Sequence, residues 1–453
     1  MTLPTGSTDP VAPAEPELRE VPLDEAMSIA ILFQQHGKLA DAEDVYRKIL
    51  QLVPDHADAL HFSGVLAHQQ GRSDEGRALI ERSLAIQPDQ ADCYSNLGII
   101  AKAQGRLDDA AAAYRTAIAL NPDHANAHSN LGVLLRAQGH LADAETQYRE
   151  AIRANPQHID AYHNLGLLLA FLKRTKEAVV CFCKVTTLSP RHPEARRLLA
   201  MAHCTLGENE KAVEILQEWL SEEPDNPIAK HALAASSGKD VPERASDGYV
   251  ETVFDGFAAS FDAKLAGLAY RAPQIVAALV ADAGVPTDKS IDVLDAGCGT
   301  GLCGPLLAPL SRWLVGVDLS RQMLELARER KLYDELVKAE LTAFLEANAE
   351  AFDLIVSADT LVYFGALERV TAAAARALRP GGHLIFTLEE SQSAAPAAGY
   401  RLQAHGRYCH GRDYVERTLT AAGFRVSIVH AELRMEAGTP VAGLAVTATQ
   451  VGS

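Results

Sequence analysis

The sequence predicts two architectures in one chain: an all-α helical-repeat solenoid, then an α/β domain built on a mostly parallel sheet. Three observations carry this. Proline recurs at Pro54, Pro88, Pro122, Pro156, Pro190 and Pro224, each 34 residues after the last. The period stops near residue 235, and from Ile291 short apolar runs alternate with helical segments. A glycine-rich loop, Gly297-Cys298-Gly299-Thr300-Gly301, follows the first of those runs. A fixed period over six units marks stacked repeats, and alternating strands and helices mark a sheet covered on both faces.

At 453 residues the chain exceeds one ordinary core and suits two domains. The first twenty residues, MTLPTGSTDPVAPAEPELRE, have neither a basic start nor an apolar run, so residues 1–22 read as a disordered tail rather than a signal peptide. No stretch has the uninterrupted apolar length of a membrane span, and the seven cysteines lack C-x-x-C spacing. A soluble, cytoplasmic protein with free thiols and no membrane partner is expected. Acidic residues outnumber basic ones 33 to 23 in residues 1–240 and 26 to 19 beyond, which disfavours nucleic acid as a partner of either half.

Within one repeat, Ala91 to His124, apolar residues keep helical spacing from Tyr94 to Ala101. Gly105 then breaks the chain, and a second amphipathic run goes from Leu107 to Ala117. The unit is a helical hairpin: glycine supplies the left-handed turn and proline ends the second helix. Gly98, Gly132 and Gly166 sit inside first helices, where glycine costs about 1 kcal/mol against alanine, so close helix packing is expected there. Lys173 stands where the turn glycine of the fifth hairpin belongs, and must adopt the left-handed conformation or distort that turn; a locally irregular hairpin is expected.

With Leu131, Gly132, Ala144, Tyr148, Ala151 and Pro156 in its pattern, the repeat resembles the tetratricopeptide repeat over residues 23–235. First helices of such stacks line a concave groove. Asn96, Asn130 and Asn164 recur there at the repeat interval, with Lys102 and Arg136 beside them. The asparagines either grip the main chain of a protein or peptide partner or bond within the hairpins. His56, His124, His158 and His192 share one repeat position, too far apart to converge on a metal, and are expected as surface-loop residues.

Residues 232–249 lose the period and gather small, charged and proline residues, placing a linker at 236–248 and a second domain at 249–453. Strands are expected at 291–295, 313–318, 335–339, 352–358, 383–390, 425–433 and 441–450; the last two are joined too closely for a helical crossover and should form an antiparallel hairpin.

Ligands of open α/β sheets sit beyond the carboxyl ends of the strands. Asp295 ends the first strand and Asp318 the second, so both direct carboxylates into that crevice. The glycines fit two templates: Gly299, Gly301 and Gly304 make the G-x-G-x-x-G of a dinucleotide loop, and Gly297, Gly299 and Gly301 make G-x-G-x-G. The dinucleotide reading leaves Asp295 to Cys298 as extra loop, whereas a cationic donor without phosphates gives the acid at the turn a use.

On these residues the chain resembles a class I, Rossmann-like S-adenosylmethionine-dependent methyltransferase from about Tyr249 to Gln450. The resemblance implies that Gly297, Cys298, Gly299 and Gly301 line S-adenosylmethionine, with Asp318 on the ribose hydroxyls and Asp295 toward the methionyl end. It places Leu319 and Met323 at the adenine, with Glu340 and Leu341 near its amino group. The segment FDGFAASFDAKLAGLAYRAP looks like the lid of methyltransferases that also carry these repeats, and Phe261, Tyr270 and Arg271 are its candidates for contact or for packing alone.

On the acceptor side, His410, Tyr408, Arg407 and Asp359 are the candidate catalytic residues, with Tyr363 beside them. His410 could accept a proton near neutral pH or merely cap a loop, and Arg407 could hold an acceptor carboxylate. No metal ligand set is expected. Three readings follow: a repeat arm that recruits a protein or peptide to a methyltransferase, a small-metabolite methyltransferase docked to an assembly, or a non-catalytic scaffold that senses the donor.

Overall fold

A computed structural model describes residues 2–4, 18–391, 398–436 and 439–451. Thr2–Pro4 (β1) and Leu18–Glu20 (β2) pair antiparallel, while the rest of the expected disordered tail lies outside the described residues. The chain divides into two compact units, Met1–Leu168 with Thr187–Ser189, and Leu169–Thr186 with Pro190–Ser453.

The first unit is a run of helical hairpins with helices of 13 and 14 residues, such as Ala91–Ala103 with Leu107–Leu120 and Ala125–Ala137 with Leu141–Ala154. Gly105 and Gly139 turn the chain at φ 75° and 83°. The helix-interior glycines explain themselves by packing. A Cβ on Gly98 would stand 2.5 Å from the ring of Tyr114, and one on Gly132 would stand 2.7 Å from Tyr148, both tyrosines being fully buried. Lys173 takes φ 62°, and its hairpin, Ile159–Phe171 with Thr175–Leu188, keeps the 13- and 14-residue lengths. Lys173 thus takes the left-handed conformation itself, and the boundary between the two units falls within this hairpin.

The repeat-position histidines are more than loop residues. His56, His124, His158 and His192 each accept, through Nδ1, the backbone N–H three residues on, at 3.1–3.2 Å. They are helix N-caps, satisfying a donor that the helix start leaves orphaned. Asn226 does the same for Ala229 at 3.0 Å.

In the second unit a sheet runs in the order β10-β11-β7-β6-β3-β4-β5. The strands are β3 (Ile291–Ala296), β4 (Ser311–Asp318), β5 (Glu335–Lys338), β6 (Phe352–Ser357), β7 (Leu378–Glu390), β10 (Phe424–Glu436) and β11 (Thr439–Gln450). β3 through β7 are parallel, and β10 and β11 form the expected antiparallel hairpin, with β11 pairing antiparallel to β7. All six residues of β3 are buried, as a central strand of a doubly covered sheet requires. Two short strands were not expected. Tyr400–Leu402 (β8) pairs with Tyr408–His410 (β9), and β9 runs parallel to the end of β7 at Glu389 and Glu390.

Helix Pro227–Ser237 packs within this same unit. His231 on it bonds the carbonyl of Gly406 at 2.9 Å and stacks on Tyr249 at 3.9 Å. Gly406 has φ 92°, and a Cβ there would meet the Tyr249 hydroxyl at 2.4 Å. The 236–248 segment lies along residues 361–366: Ala245 N–H donates to Tyr363 O, and Gly365 N–H to Glu243 O, each at 2.8 Å. Among the described residues no helix is long and apolar enough to cross a membrane.

Candidate active site

Where β3 and β4 end, the backbone turns through three left-handed glycines, Gly297 (φ 77°), Gly299 (φ 54°) and Gly301 (φ 84°). They differ in what surrounds them. A Cβ on Gly297 would strike the Thr360 side chain at 2.2 Å and one on Gly301 would meet Tyr333 at 2.9 Å, whereas at Gly299 the nearest atom, on Phe261, is 3.9 Å away. Gly299 is thus the point where bare backbone faces open space. Its N–H donates to Asp318 Oδ2 at 2.9 Å, and Ser320 N–H donates to Asp318 Oδ1 at 2.8 Å. Leu319 N–H is a third backbone donor to Asp318, so the carboxylate is fixed yet keeps a lone pair for a further donor.

Gly297, Gly299 and Asp318 line a cavity of about 280 Å³, together with Asp295, Cys298, Leu319, Glu340 and Leu341. Asp295 is 1% exposed and accepts from Tyr333 Oη at 2.6 Å. Burial raises its pKa to about 7, the Tyr333 bond opposing and Asp318 adding to the rise; burial likewise raises Asp318. Two buried acids on one cavity, neither with a basic partner among the described residues, form a site made for a cation. Glu340 caps helix Leu341–Ala347, accepting from Thr342 N–H at 3.0 Å and Ala343 N–H at 2.8 Å. Gly301 and Met323 are not among the lining residues. Met323 is fully buried, its N–H bonded to Ser320 Oγ at 3.1 Å.

The segment before the sheet covers this cavity. Asp255 accepts from Ser320 Oγ and Asp262 from Thr300 Oγ1, each at 2.5 Å, fastening it to both strand-end loops. Beside and between these clips Phe254, Phe257 and Phe261 line the cavity, with Phe254 edge-on to Tyr363 at 5.4 Å. Phe261 and Tyr270 therefore reach the cavity. Arg271 does not: its backbone N–H is held by Leu433 O and its side chain runs outward to 3.9 Å from Glu432. Phe254 and Phe257 were missed, although their i, i+3 spacing at the end of helix Asp247–Phe257 puts both on one face.

The acceptor-side candidates separate. Asp359, Tyr363 and Arg407 line the cavity, joined by Arg434 and Glu436 from β10. His410 is completely buried elsewhere: Nε2 donates to Gly365 O at 3.0 Å, Nδ1 has no hydrogen-bond partner among the described residues, and burial lowers the pKa to about 4. Tyr408 is equally buried and donates to Pro242 O at 2.7 Å. Neither touches the cavity. In the first unit, Asn96 bonds His61 of the preceding repeat at 2.8 Å, a bond made between neighbouring repeats.

Residues 294–386 match the family model for a methyltransferase domain, and residues 55–123, 96–159, 134–185 and 172–236 match models of the tetratricopeptide repeat. The chain is 35% identical over 111 residues to trans-aconitate 2-methyltransferase of Paracidovorax citrulli, covering 24% of this chain and 42% of that protein. It is 36% identical over 103 residues to malonyl-[acyl-carrier protein] O-methyltransferase of Enterobacter lignolyticus, covering 23% and 41%. With ubiquinone biosynthesis O-methyltransferase of Rattus norvegicus the identity is 30% over 113 residues, covering 23% and 32%. The matched segment thus spans less than half the length of each of these relatives. Among solved structures, the pilus biogenesis factor PilW is 18% identical, with a TM-score of 0.42 over 47% of this chain and 98% of that one. The chain joins tetratricopeptide repeats to a class I methyltransferase domain.

Proposed function

We propose that this protein transfers a methyl group from S-adenosylmethionine, and that its repeat arm recruits the protein or peptide that accepts it. One observation carries the donor half: Gly299 offers bare backbone to a cavity into which two buried acids, Asp295 and Asp318, converge without a basic partner among the described residues. A cationic nucleoside answers each feature. Asp318 keeps a lone pair for a ribose hydroxyl, Asp295 an anionic charge for an ammonium group, and Leu319 and Leu341 apolar surface for a base. The phenyl faces of Phe254, Phe257 and Phe261 suit a sulfonium electrostatically and shut out water. Glu340 keeps its capping bonds and offers remaining lone pairs to an amino group.

Bound there, S-adenosylmethionine supplies a methyl group activated by positive sulfur. The chain's own share is alignment of the acceptor and removal of its proton. Arg407 is poorly suited to clamp an acceptor carboxylate, because its guanidinium is already engaged by Glu389 at 2.5 Å and Glu436 at 2.6 Å.

Calorimetric titration of the full chain with S-adenosylmethionine tests the donor half; no detectable binding would remove it. The recruiting half predicts that alanine at Asn130, Lys102 and Arg136 together raises KM for the natural acceptor about tenfold with donor affinity unchanged. An unchanged KM would instead favour a small-metabolite acceptor with the arm docking the enzyme to an assembly. The relative named for trans-aconitate supports that second reading.

A further inference from the structure

Beside the donor-lining residues the cavity has an ionic network that the donor reading leaves unused. Arg434, 3% exposed on β10, is the hub. Its Nη1 donates to Asp359 Oδ2 at 2.9 Å, its Nε to Glu436 Oε1 at 2.7 Å, and its Nη2 pairs with Glu389. Arg407 bridges the same two glutamates. His405 lies 3.5 Å from Glu389, and burial together with Arg407 lowers its pKa to about 4, so it is neutral at pH 7. Three carboxylates therefore face two guanidinium groups, and one negative charge is left over.

That charge has an outlet. Asp359 Oδ1 is buried and has no hydrogen-bond partner among the described residues, while the residue lines the cavity. Asp359 also holds φ 59°, with its N–H fixed to Thr387 Oγ1 at 2.9 Å. A non-glycine residue kept in that region by its surroundings clusters at functional sites. Tyr270 lines the same cavity, and burial, with Asp359 and Asp295 adding to it, raises its phenol well above the ordinary range.

We propose that this network is the acceptor subsite and that the group it receives is a protonated amine, held by Asp359 Oδ1; the proposal rests on the methyl-donor reading above. A carboxylate acceptor would have to break pairs that both arginines already make. A hydroxyl would bond Oδ1 but leave the surplus charge unanswered. An ammonium answers both, and in a polypeptide it is a lysine side chain or the N-terminus. The step balances. The ammonium gives one proton to Asp359 Oδ1, the freed nitrogen lone pair forms the C–N bond, and the C–S bond breaks with its electron pair kept by sulfur. A thioether and a methylated ammonium result, and the Asp359 proton passes to solvent.

The test uses the full chain saturated with S-adenosylhomocysteine and titrated with n-butylamine, n-butanol and butyrate. Butylamine should bind at least about tenfold tighter than butanol, the scale of one charge-assisted bond, and butyrate weakest. Asp359→Asn should erase the preference for the amine while S-adenosylhomocysteine affinity stays within about threefold, since Asp359 is outside the donor cradle. Equal binding of the three probes, binding of none, or a preference for butyrate would overturn the proposal with the donor reading intact. Failure of S-adenosylhomocysteine itself to bind would count against the donor reading instead. The wild-type order alone decides the matter should the variant not fold.

Discussion

Glycine is used in opposite ways in the two units. In the repeats, Gly98 and Gly132 omit a side chain so that the Tyr114 and Tyr148 rings can fill its place, and the gain is packing. After β3, Gly299 omits a side chain, and the atom nearest to where its Cβ would stand, on Phe261, is 3.9 Å away. Space filled by the chain is structural; space kept open beside a cavity is room for a ligand. The same residue type at a comparable cost in chain entropy thus marks stability in one unit and binding in the other.

The strongest way to break this contrast is Gly299→Asp. It should reduce S-adenosylmethionine affinity more than 100-fold, about 3 kcal/mol, because the new carboxylate fills open space next to Asp318, while the left-handed φ of 54° adds only about 1 kcal/mol of strain to the fold. A variant that binds normally would remove Gly299 from the cradle. Acid should next sharpen the difference. His410 is buried neutral with a pKa of about 4, below the ordinary value of 6.5, so the unfolded chain takes its proton first as pH falls. Its contribution is complete above pH 6.5 and lost toward pH 4, about 3 kcal/mol at most for the second unit, which a pH series of denaturant melts would show.

Gly132→Ala should cost the repeats about 2 kcal/mol by overpacking against Tyr148, read in the same melts, while donor affinity is unchanged. Donor binding itself should weaken about tenfold per unit as pH drops below 7, since Asp295, raised to about 7, must be ionised to hold a cation; a flat profile would argue against that role. The smallest effect is a gain. Lys173→Gly should stabilise the chain by about 1 kcal/mol by relieving φ 62°.

The repeats and all seven long strands were legible because each rests on local spacing, the 34-residue ruler or a run of apolar residues between turn residues. The donor loop was legible for the same reason: glycines and acids at strand ends are neighbours in sequence. What escaped lies across distance. Glu389, Arg434 and Glu436 join Asp359 in one network from strands 30 to 77 residues away, and no periodicity links them. Their one local sign was charge placed at the ends of otherwise apolar strands. His410 misled because a histidine in a loop-like stretch looks accessible, whereas the unexpected β8–β9 pair draws it fully inside. The histidine caps were hidden by the rarity of imidazole in that part, though their constant place three residues before an alanine N–H was the clue.

The contact of His231 and Tyr249 with Gly406 changes how this protein can be dissected. Excising everything before residue 236 would take away the ring that seats the loop leading to Arg407, so a dead fragment would report a collapsed catalytic wall rather than a lost recruiting arm. A cleaner cut falls near Pro190, leaving Pro193–Thr205, Asn209–Glu222 and Pro227–Ser237 attached, and only the loss of turnover beyond that cut speaks to delivery of the acceptor.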